Sequence, residues 1–559
     1  MSMKNAFVVF PLTLALAASS GAQTAAARPV IPAATAPAAA KPRLIVAISV
    51  DQMRYDYLVR FRPLFTGGLK TLIEKGAVFS NARYRHANCE TGPGHSVILS
   101  GRNAWHSGIV ANSWYDDALG RVVNVVEDPS VNTVGGAGRA ASPANFVGFT
   151  IGDMIKEMHP EAKVVGVSLK DRAAILMAGP RADAAYWYEP GIGRFITSSY
   201  YMNTLPPWLQ AINDKRIPDS YAAKPWTKTL TDETIYRKYA GEDQVLTEFD
   251  TKEVSFPHPI GGAPGSPAYY ENFRRTPYAD ELTLDVALGA MNAHGLGADA
   301  VTDILAIGFS ATDVIGHAFG PDSNEMMDQM LRLDKTIGRL FEAVQARVGL
   351  ANTIFVFTGD HSVMPLVETL QRQGVAAKRV SPAGLQTVGM DALTKQFPRA
   401  KDLVSSYLAP DFYLNLGSIA RQGIRRQDVE QTLSDALIAT GVVAKVYTAS
   451  SFTGDPPSAP EDPYFDAVRR SYFAPRSPQI IARLKEYMYL TDSAGGTGHG
   501  SSYEYDRHVP VVFMGSTIKA GAFEGDTGPE DIAPTLGLLI GLDYPLQDAR
   551  RRLTEMIHN

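Results

Sequence analysis

Uninterrupted apolar runs recur along the chain, and each stops at or just before a polar residue. Leu44 to Val50 (LIVAISV) is apolar and β-branched and ends at Asp51, the pattern of a strand buried on both faces of a parallel sheet. Similar runs stand at Lys163 to Ser168 (KVVGVS), Ile304 to Phe309 (ILAIGF), Thr353 to Thr358 (TIFVFT) and Val509 to Met514 (VPVVFM). Between the third and fourth of these five runs, Met330, Leu333, Ile337, Leu340, Phe341, Val344 and Val348 fall on one helical face. Strands alternating with helices predict an α/β fold, a doubly wound, mostly parallel central sheet with helices on both faces.

Two stretches interrupt the alternation. Residues 181–300 are rich in Tyr, Pro and Gly with weak periodicity, which predicts an irregular insertion beside the site. Residues 366–490 hold a strand-like DFYLNL, an amphipathic helix from Arg426 to Ala439 and a strand-like VVAKVYT, which predicts a small α/β insertion. No internal repeat is present. At the start, Lys4, the apolar run Ala6 to Ala18 and Ser20-Gly21-Ala22 read as a signal peptide over residues 1–22. A membrane anchor needs roughly 20 apolar residues, and this run is shorter and contains Pro11. Residues 23–42, mostly Ala, Pro and Thr, have the composition of a disordered linker. No later stretch is apolar enough to span a bilayer, so the expected destination is the periplasm or the medium.

Composition narrows the picture further. With 45% of 559 residues apolar, the chain can bury a substantial core. Charged residues make up 20% with both signs mixed throughout, which leaves no basic face for nucleic-acid readout. Cys89 is the single cysteine, so no internal disulfide can form. Stability outside the cytoplasm then has to come from the core and from metal.

Ligands of doubly wound sheets bind at the carboxyl ends of the strands, and the polar residues gather there. Asp51 ends the first run, Lys170 and Arg172 follow the second, Asp313 follows the third, and Asp360-His361 follow the fourth. His317 is four residues beyond Asp313, so on a helix both face one way. Aspartate with histidine is a donor set suited to zinc. Singly, an Asp after a strand is more often a helix cap and a lone His a satisfied polar residue. Asp51, Asp313, His317, Asp360, His361 and His499 together, at one edge of one sheet, point to a metal site.

The stretch CETGPGHS at residues 89–96 offers a thiol, a threonine, a glycine-proline-glycine run and a histidine. If Gly92 to Ser100 is a helix, Thr91 is its N-cap, and the helix dipole and free amides face whatever anion sits there. Thr91 would then either merely cap, or act as a nucleophile, which a hydroxyl does poorly near neutral pH without a metal or base.

The order of these motifs resembles the alkaline phosphatase superfamily. It is most similar to the phosphodiesterase-like branch of bacterial alkaline phosphatases with a threonine nucleophile, related to the nucleotide pyrophosphatases/phosphodiesterases. The matching pieces are SVDQMR around Asp51, ETGPGHS around Thr91, ATDVIGHAFGPDS around Asp313 and His317, FTGDHSV around Asp360 and His361, and GGTGHGS around His499. They lie in family order and leave both insertions largely unmatched.

The resemblance implies a catalytic domain over residues 43–559 that hydrolyses phosphate monoesters through a phosphothreonine on Thr91. It implies two zinc ions per chain, one held by Asp51, Thr91, Asp360 and His361, the other by Asp313, His317 and His499. Asn112 (in GIVANSWYD), Lys170 and Arg172 (in SLKDRAA) would contact the non-bridging phosphate oxygens, the mark of monoesterases in that branch. His95 and His508 have no metal role in the pattern and read as structural. A sulfatase of the same superfamily would carry proline two residues after its cysteine; Thr91 stands there instead, and Cys89 reads as a small buried side chain. The charge of the two ions is balanced by Asp51, Asp313, Asp360 and an ionised Thr91. Lys170 and Arg172 remain as surplus positive charge, which suits a monoester dianion better than a diester monoanion.

Extra structural calcium is compatible with acidic positions in the insertions, although no spacing demands it. A monomer acting on small-molecule phosphate esters is the favoured organisation. The competing readings are a nucleotide pyrophosphatase/phosphodiesterase and, from another class, a non-catalytic exported protein that binds metal or phosphate. A lipid-headgroup phosphotransferase would normally carry membrane helices.

Overall fold

The computed structural model describes residues 41–243, 255–452 and 462–558. The signal-peptide reading of residues 1–22 and nearly all of the linker reading of 23–42 lie outside the described residues. From Lys41 onward the chain forms one compact unit.

Ten strands make the central sheet. They are β1 (Leu44–Val50), β2 (Ala77–Phe79), β3 (Thr133–Val134), β4 (Val164–Ser168), β5 (Ala184–Glu189), β6 (Arg194–Ser198), β7 (Asp303–Phe309), β8 (Thr353–Gly359), β9 (Val511–Met514) and β10 (Gly521–Phe523). Their spatial order is β10, β2, β9, β8, β1, β7, β4, β5, β6, β3. The middle of the sheet, from β8 through β5, is parallel throughout. β1 pairs residue for residue with β8 on one side and β7 on the other, and every residue of the three is buried.

Five helices near the site are α1 (Thr91–Ile98), α2 (Asp171–Ala178), α3 (Tyr278–His294), α4 (Ala311–Phe319) and α5 (Asn324–Arg347). Alternation along β1 shows why the sheet is covered on both faces. Leu44, Val46, Ile48 and Val50 pack into a cluster with α3 and α5 residues such as Leu284, Val286, Met330 and Ile337. Ile45 and Ala47 point the other way, into a cluster with Ile151, Ile155, Ile532 and Leu536. The helical face read from Met330 to Val344 lies wholly inside α5 and is buried.

Three features differ from the sequence expectations. The run ending at Met514 forms β9, which pairs antiparallel with both β8 and β2. Residues 181–300 are not irregular throughout: β5 and β6 extend the central sheet, and the 17-residue α3 covers one face of it. The rest of the described part of that stretch holds short helices and loops, with Trp226 and Tyr236 buried and both hydrogen-bonded to Asp328 of α5. Thr91, third, is the first residue inside α1, with Glu90 preceding it as the cap residue.

Within 366–490, an antiparallel four-stranded sheet runs in the order Val404–Leu408, Asp411–Leu414, Ile480–Leu484, Val443–Thr448. Helices Pro382–Gln396 and Arg426–Ala439 accompany it, and Phe412, Leu433, Leu437 and Ile480 belong to a core of its own. Among the described residues no helix is long and apolar enough to cross a membrane.

Candidate active site

Each parallel strand delivers its polar residue to the same edge because the run of apolar side chains stops there. Asp51 follows β1, Lys170 lies two residues past β4, Asp313 and His317 sit on α4 directly after β7, and Asp360-His361 follow β8. His499 comes from the loop between Leu490 and Glu504. Asp51, Asp360 and His361 form one group whose donor atoms lie within 4.8 Å of one another, and Asp313, His317 and His499 form a second. These are the only groups of this kind among the described residues, so no separate calcium cluster is found in the described parts of the insertions.

The three histidines are set up alike. Nδ1 of His317 faces the Thr497 carbonyl at 2.7 Å, Nδ1 of His499 the Cys89 carbonyl at 2.7 Å, and Nδ1 of His361 the Ser362 carbonyl at 3.0 Å. A ring that donates from Nδ1 to a carbonyl keeps its lone pair on Nε2. Those Nε2 atoms point at carboxylates: His317 lies 3.2 Å and His499 3.5 Å from Asp313 Oδ1, and His361 3.4 Å from Asp51 Oδ1. His361 and His499 stack with centroids 3.6 Å apart.

The first group fits a cation on its own chemistry. Asp51 Oδ1, Asp360 Oδ2 and His361 Nε2 are buried without a well-formed hydrogen bond, although buried polar atoms are nearly always paired; they face one another at 3.3 to 3.4 Å, with His95 Nδ1 3.1 Å from Asp360 Oδ2. Two carboxylate oxygens and one imidazole nitrogen converging in this way are a donor set that a divalent ion satisfies.

Lys170 ties the groups together. Its Nζ is 2.6 Å from Asp51 Oδ2, 2.6 Å from Asp313 Oδ2 and 3.3 Å from Thr91 Oγ. Arg172 Nη2 is 3.4 Å from the same Thr91 oxygen. Burial opposes charge at Asp51, but the Lys170 ammonium and His361 outweigh it and hold the carboxyl far below its ordinary range. Asp313 is likewise held well below, against burial, by His317 and Lys170. Burial also opposes charge on His361, yet Asp360 and Asp51 push it up to about 9. His499, buried and beside His361, is pushed down to about 3.

Thr91 is buried at the first position of α1, and its hydroxyl is not spent on capping. The cap is supplied from a distance: Gly92 N–H donates to Asn112 Oδ1 at 2.8 Å. That bond orients the Asn112 amide and leaves its Nδ2 uncommitted, while Asn112 N–H donates to Glu90 Oε2 at 2.6 Å. A cavity of about 570 Å³ opens beside Glu90, Asn112 and His499, with Tyr413, Tyr489 and Tyr503 among its walls.

The remaining motif residues find ordinary places. Cys89 is buried with Tyr84, Val97 and Val509. His508 stacks on Tyr55 and bonds the Ser80 carbonyl. His95 is more than packing, since its Nδ1 lies 2.9 Å from the Thr91 carbonyl and 3.1 Å from Asp360 Oδ2. Gln52, which sequence patterning did not single out, contacts carboxylates of both groups. Its only sequence signal is its place directly after Asp51.

A family model described as type I phosphodiesterase / nucleotide pyrophosphatase matches residues 45–509. Alkaline phosphatase PhoV of Synechococcus elongatus is 31% identical over 563 residues, spanning 99% of this chain and 100% of that protein. Alkaline phosphatase PafA of Elizabethkingia meningoseptica is 32% identical over 529 residues, spanning 92% of this chain and 95% of that one. A crystal structure of wild-type alkaline phosphatase PafA superposes with a TM-score of 0.86 at 31% identity, over 93% of this chain and 100% of that chain.

Proposed function

This chain belongs to the type I phosphodiesterase / nucleotide pyrophosphatase family of the alkaline phosphatase superfamily, and from that membership we propose that it is an exported, zinc-dependent alkaline phosphatase hydrolysing phosphate monoesters through a phosphothreonine on Thr91. The observation that carries the proposal is the setting of the Thr91 hydroxyl. It lies at a helix start, between Lys170 and Arg172, with Lys170 bridging both carboxylate-histidine groups. Full-length relatives called alkaline phosphatases support the same reading.

Asp51, Thr91, Asp360 and His361 would hold one zinc, and Asp313, His317 and His499 the other. When bound, the ions supply the positive charge that lowers the pKa of a nearby hydroxyl or water and offsets charge on a leaving oxygen. Thr91 Oγ attacks phosphorus in line, its bond to phosphorus forming as the ester P–O bond breaks and the alcohol departs. Water then attacks the phosphothreonine, and breakage of the P–Oγ bond returns Thr91 and releases inorganic phosphate. Asn112 Nδ2, Lys170 and Arg172 hold the non-bridging oxygens through both steps. Such preset donors are worth several kcal/mol of transition-state stabilisation. The cavity beside Asn112 and His499 gives the organic part of the ester a place to sit. Residues 1–22 carry the export part of the proposal.

The family model's description keeps a diesterase in view as a second reading. Lys170 and Arg172 argue against it, because two cations suit a dianion. Thr91→Ala tests the proposal: turnover of an aryl phosphate should fall by at least ~10³-fold, and labelled phosphate should no longer be trapped on the protein at low pH. Substantial monoesterase activity in that variant overturns the nucleophile assignment. A wild-type preference for the aryl phosphodiester over the aryl phosphate selects the diesterase, and no trapped phosphate with no turnover selects a binding protein.

A further inference from the structure

Gln52 stands where the two candidate ion-holding groups meet. It is fully buried and directly follows Asp51. Its backbone N–H donates to Asp360 Oδ1 at 3.0 Å, in the first group, and its side-chain Nε2 donates to Asp313 Oδ1 at 3.0 Å, in the second. One residue therefore restrains a carboxylate of each group across sequence separations of 308 and 261 residues.

Two further features show that the placement is specific. Gln52 has φ +64, the left-handed region in which Asn, Asp and Gly are at home and a longer side chain is uncommon. Asn would relieve that strain but is one methylene too short for the same reach. On α4, Gly316 lies between Asp313 and His317 in sequence and leaves room for the amide, since a Cβ there would come within 1.7 Å of Gln52 Oε1. The same Oε1 is buried without a hydrogen bond, so packing against Gly316 and the bond to Asp313 hold the amide in place.

We propose that Gln52 is a positioning residue for the two-ion centre, its main chain orienting Asp360 and its side chain orienting Asp313. The inference rests on the two-ion reading above. The two arms are separable, because a side-chain substitution keeps the backbone N–H. Gln52→Met retains length and bulk but cannot donate, so it should weaken zinc at the Asp313–His317–His499 group and spare the other. Loss of a hydrogen-bonding partner behind a ligand typically costs about 10–100-fold in affinity.

The test is zinc titration of the purified full chain against a competing chelator, with zinc content measured in parallel and circular dichroism to check folding. Wild type should bind two zinc ions, and Gln52→Met should release one of them at about 10–100-fold lower chelator strength. In a His317→Ala background, where the second group is already crippled, Gln52→Met should change nothing. Gly316→Ala, which displaces the amide, should reproduce the Gln52→Met defect. In the Gln52→Gly background the space is vacated, and Gly316→Ala should add no further loss.

Two ions bound in Gln52→Met with wild-type affinity would overturn the inference while leaving the two-ion reading intact. Fewer than two ions in wild type would overturn that reading instead. If Gln52→Met fails to fold, Gln52→Gly, which relieves the left-handed backbone, carries the same expectation, and wild-type affinity in it overturns the inference equally.

Discussion

Removing the charge of Lys170 should destabilise the protein far more without metal than with it. Its ammonium sits 2.6 Å from a carboxylate oxygen of Asp51 and 2.6 Å from one of Asp313, and all three side chains are at most 6% exposed. At that distance and an effective dielectric near 20, each contact is worth ~6 kcal/mol of gross attraction. Desolvation takes back much of it, and deleting one partner of a buried pair costs ~3–5 kcal/mol net. An unfolding entropy of ~2.1 cal/mol/K per residue over ~500 residues is ~1 kcal/mol/K, so Tm should fall by ~3–5 °C. On the two-zinc proposal, excess zinc puts other positive charge beside Asp51 and Asp313, and the fall should shrink to ~1 °C. Lys170→Met, which keeps the aliphatic stem, is the variant, and calorimetry of wild type and variant with chelator and with zinc is the assay. The pH dependence carries the same signature. Carboxyls held below their unfolded pKa of about 4 contribute stability that is complete above that pH and lost as pH falls below it. The metal-free variant should therefore have a flatter acid limb than metal-free wild type. Equal depression of Tm with and without zinc would refute the electrostatic reasoning and make Lys170 a packing residue.

Gly94 of α1 packs against the main chain at the end of β8: a Cβ there would lie 2.0 Å from the Asp360 carbonyl oxygen. Backbone faces it, so Gly94→Ala should displace α1 and Asp360 together, costing at least ~1–3 kcal/mol with loss of zinc and turnover; wild-type Tm and activity would sink that expectation. Asp411, beside the cavity, accepts a hydrogen bond from Ala482 N–H, and burial pushes its carboxyl up to about 7. Because the folded form then binds the proton more tightly than the unfolded form, stability should decline as pH rises from about 4 to about 7. Asp411→Asn keeps the acceptor and should stabilise the protein above pH 7 by at most ~4 kcal/mol and hardly at pH 4; a pH-independent difference in chemical-denaturation midpoints would contradict it.

The interior of the sheet was legible because β1, β4, β7 and β8 are buried on both faces, which forces uninterrupted apolar runs. Their polar endpoints were legible for the same reason: an abrupt Asp or Lys after such a run has to sit at the sheet edge. The direction of β9 was not legible, since nothing in VVFM records whether its neighbours run with it. β2, β3 and β10 are two or three residues long and carry too few positions for a period to show. β5 and β6 hid in an aromatic-rich stretch because AAYWYE and RFITS look like the loops around them.

At the site, the limit of sequence reading has a different cause. Composition and spacing name the side chains that reach the edge, but the pairing among them is decided by contacts between distant segments. The Gly92 amide in the first turn of α1 is satisfied by Asn112, 20 residues away, while the Thr91 hydroxyl, inside the helix, faces Lys170 and Arg172. The carbonyl of Cys89, whose thiol has only packing to do, fixes the tautomer of His499 from 410 residues away. Gln52 and His95 acquire their contacts with Asp360 and Asp313 in the same manner. A cluster whose polar atoms were all paired within the chain would be structural. Asp51 Oδ1, Asp360 Oδ2 and His361 Nε2, on residues with no exposure, instead converge on one another without a well-formed hydrogen bond, the arrangement that a cation among them would satisfy.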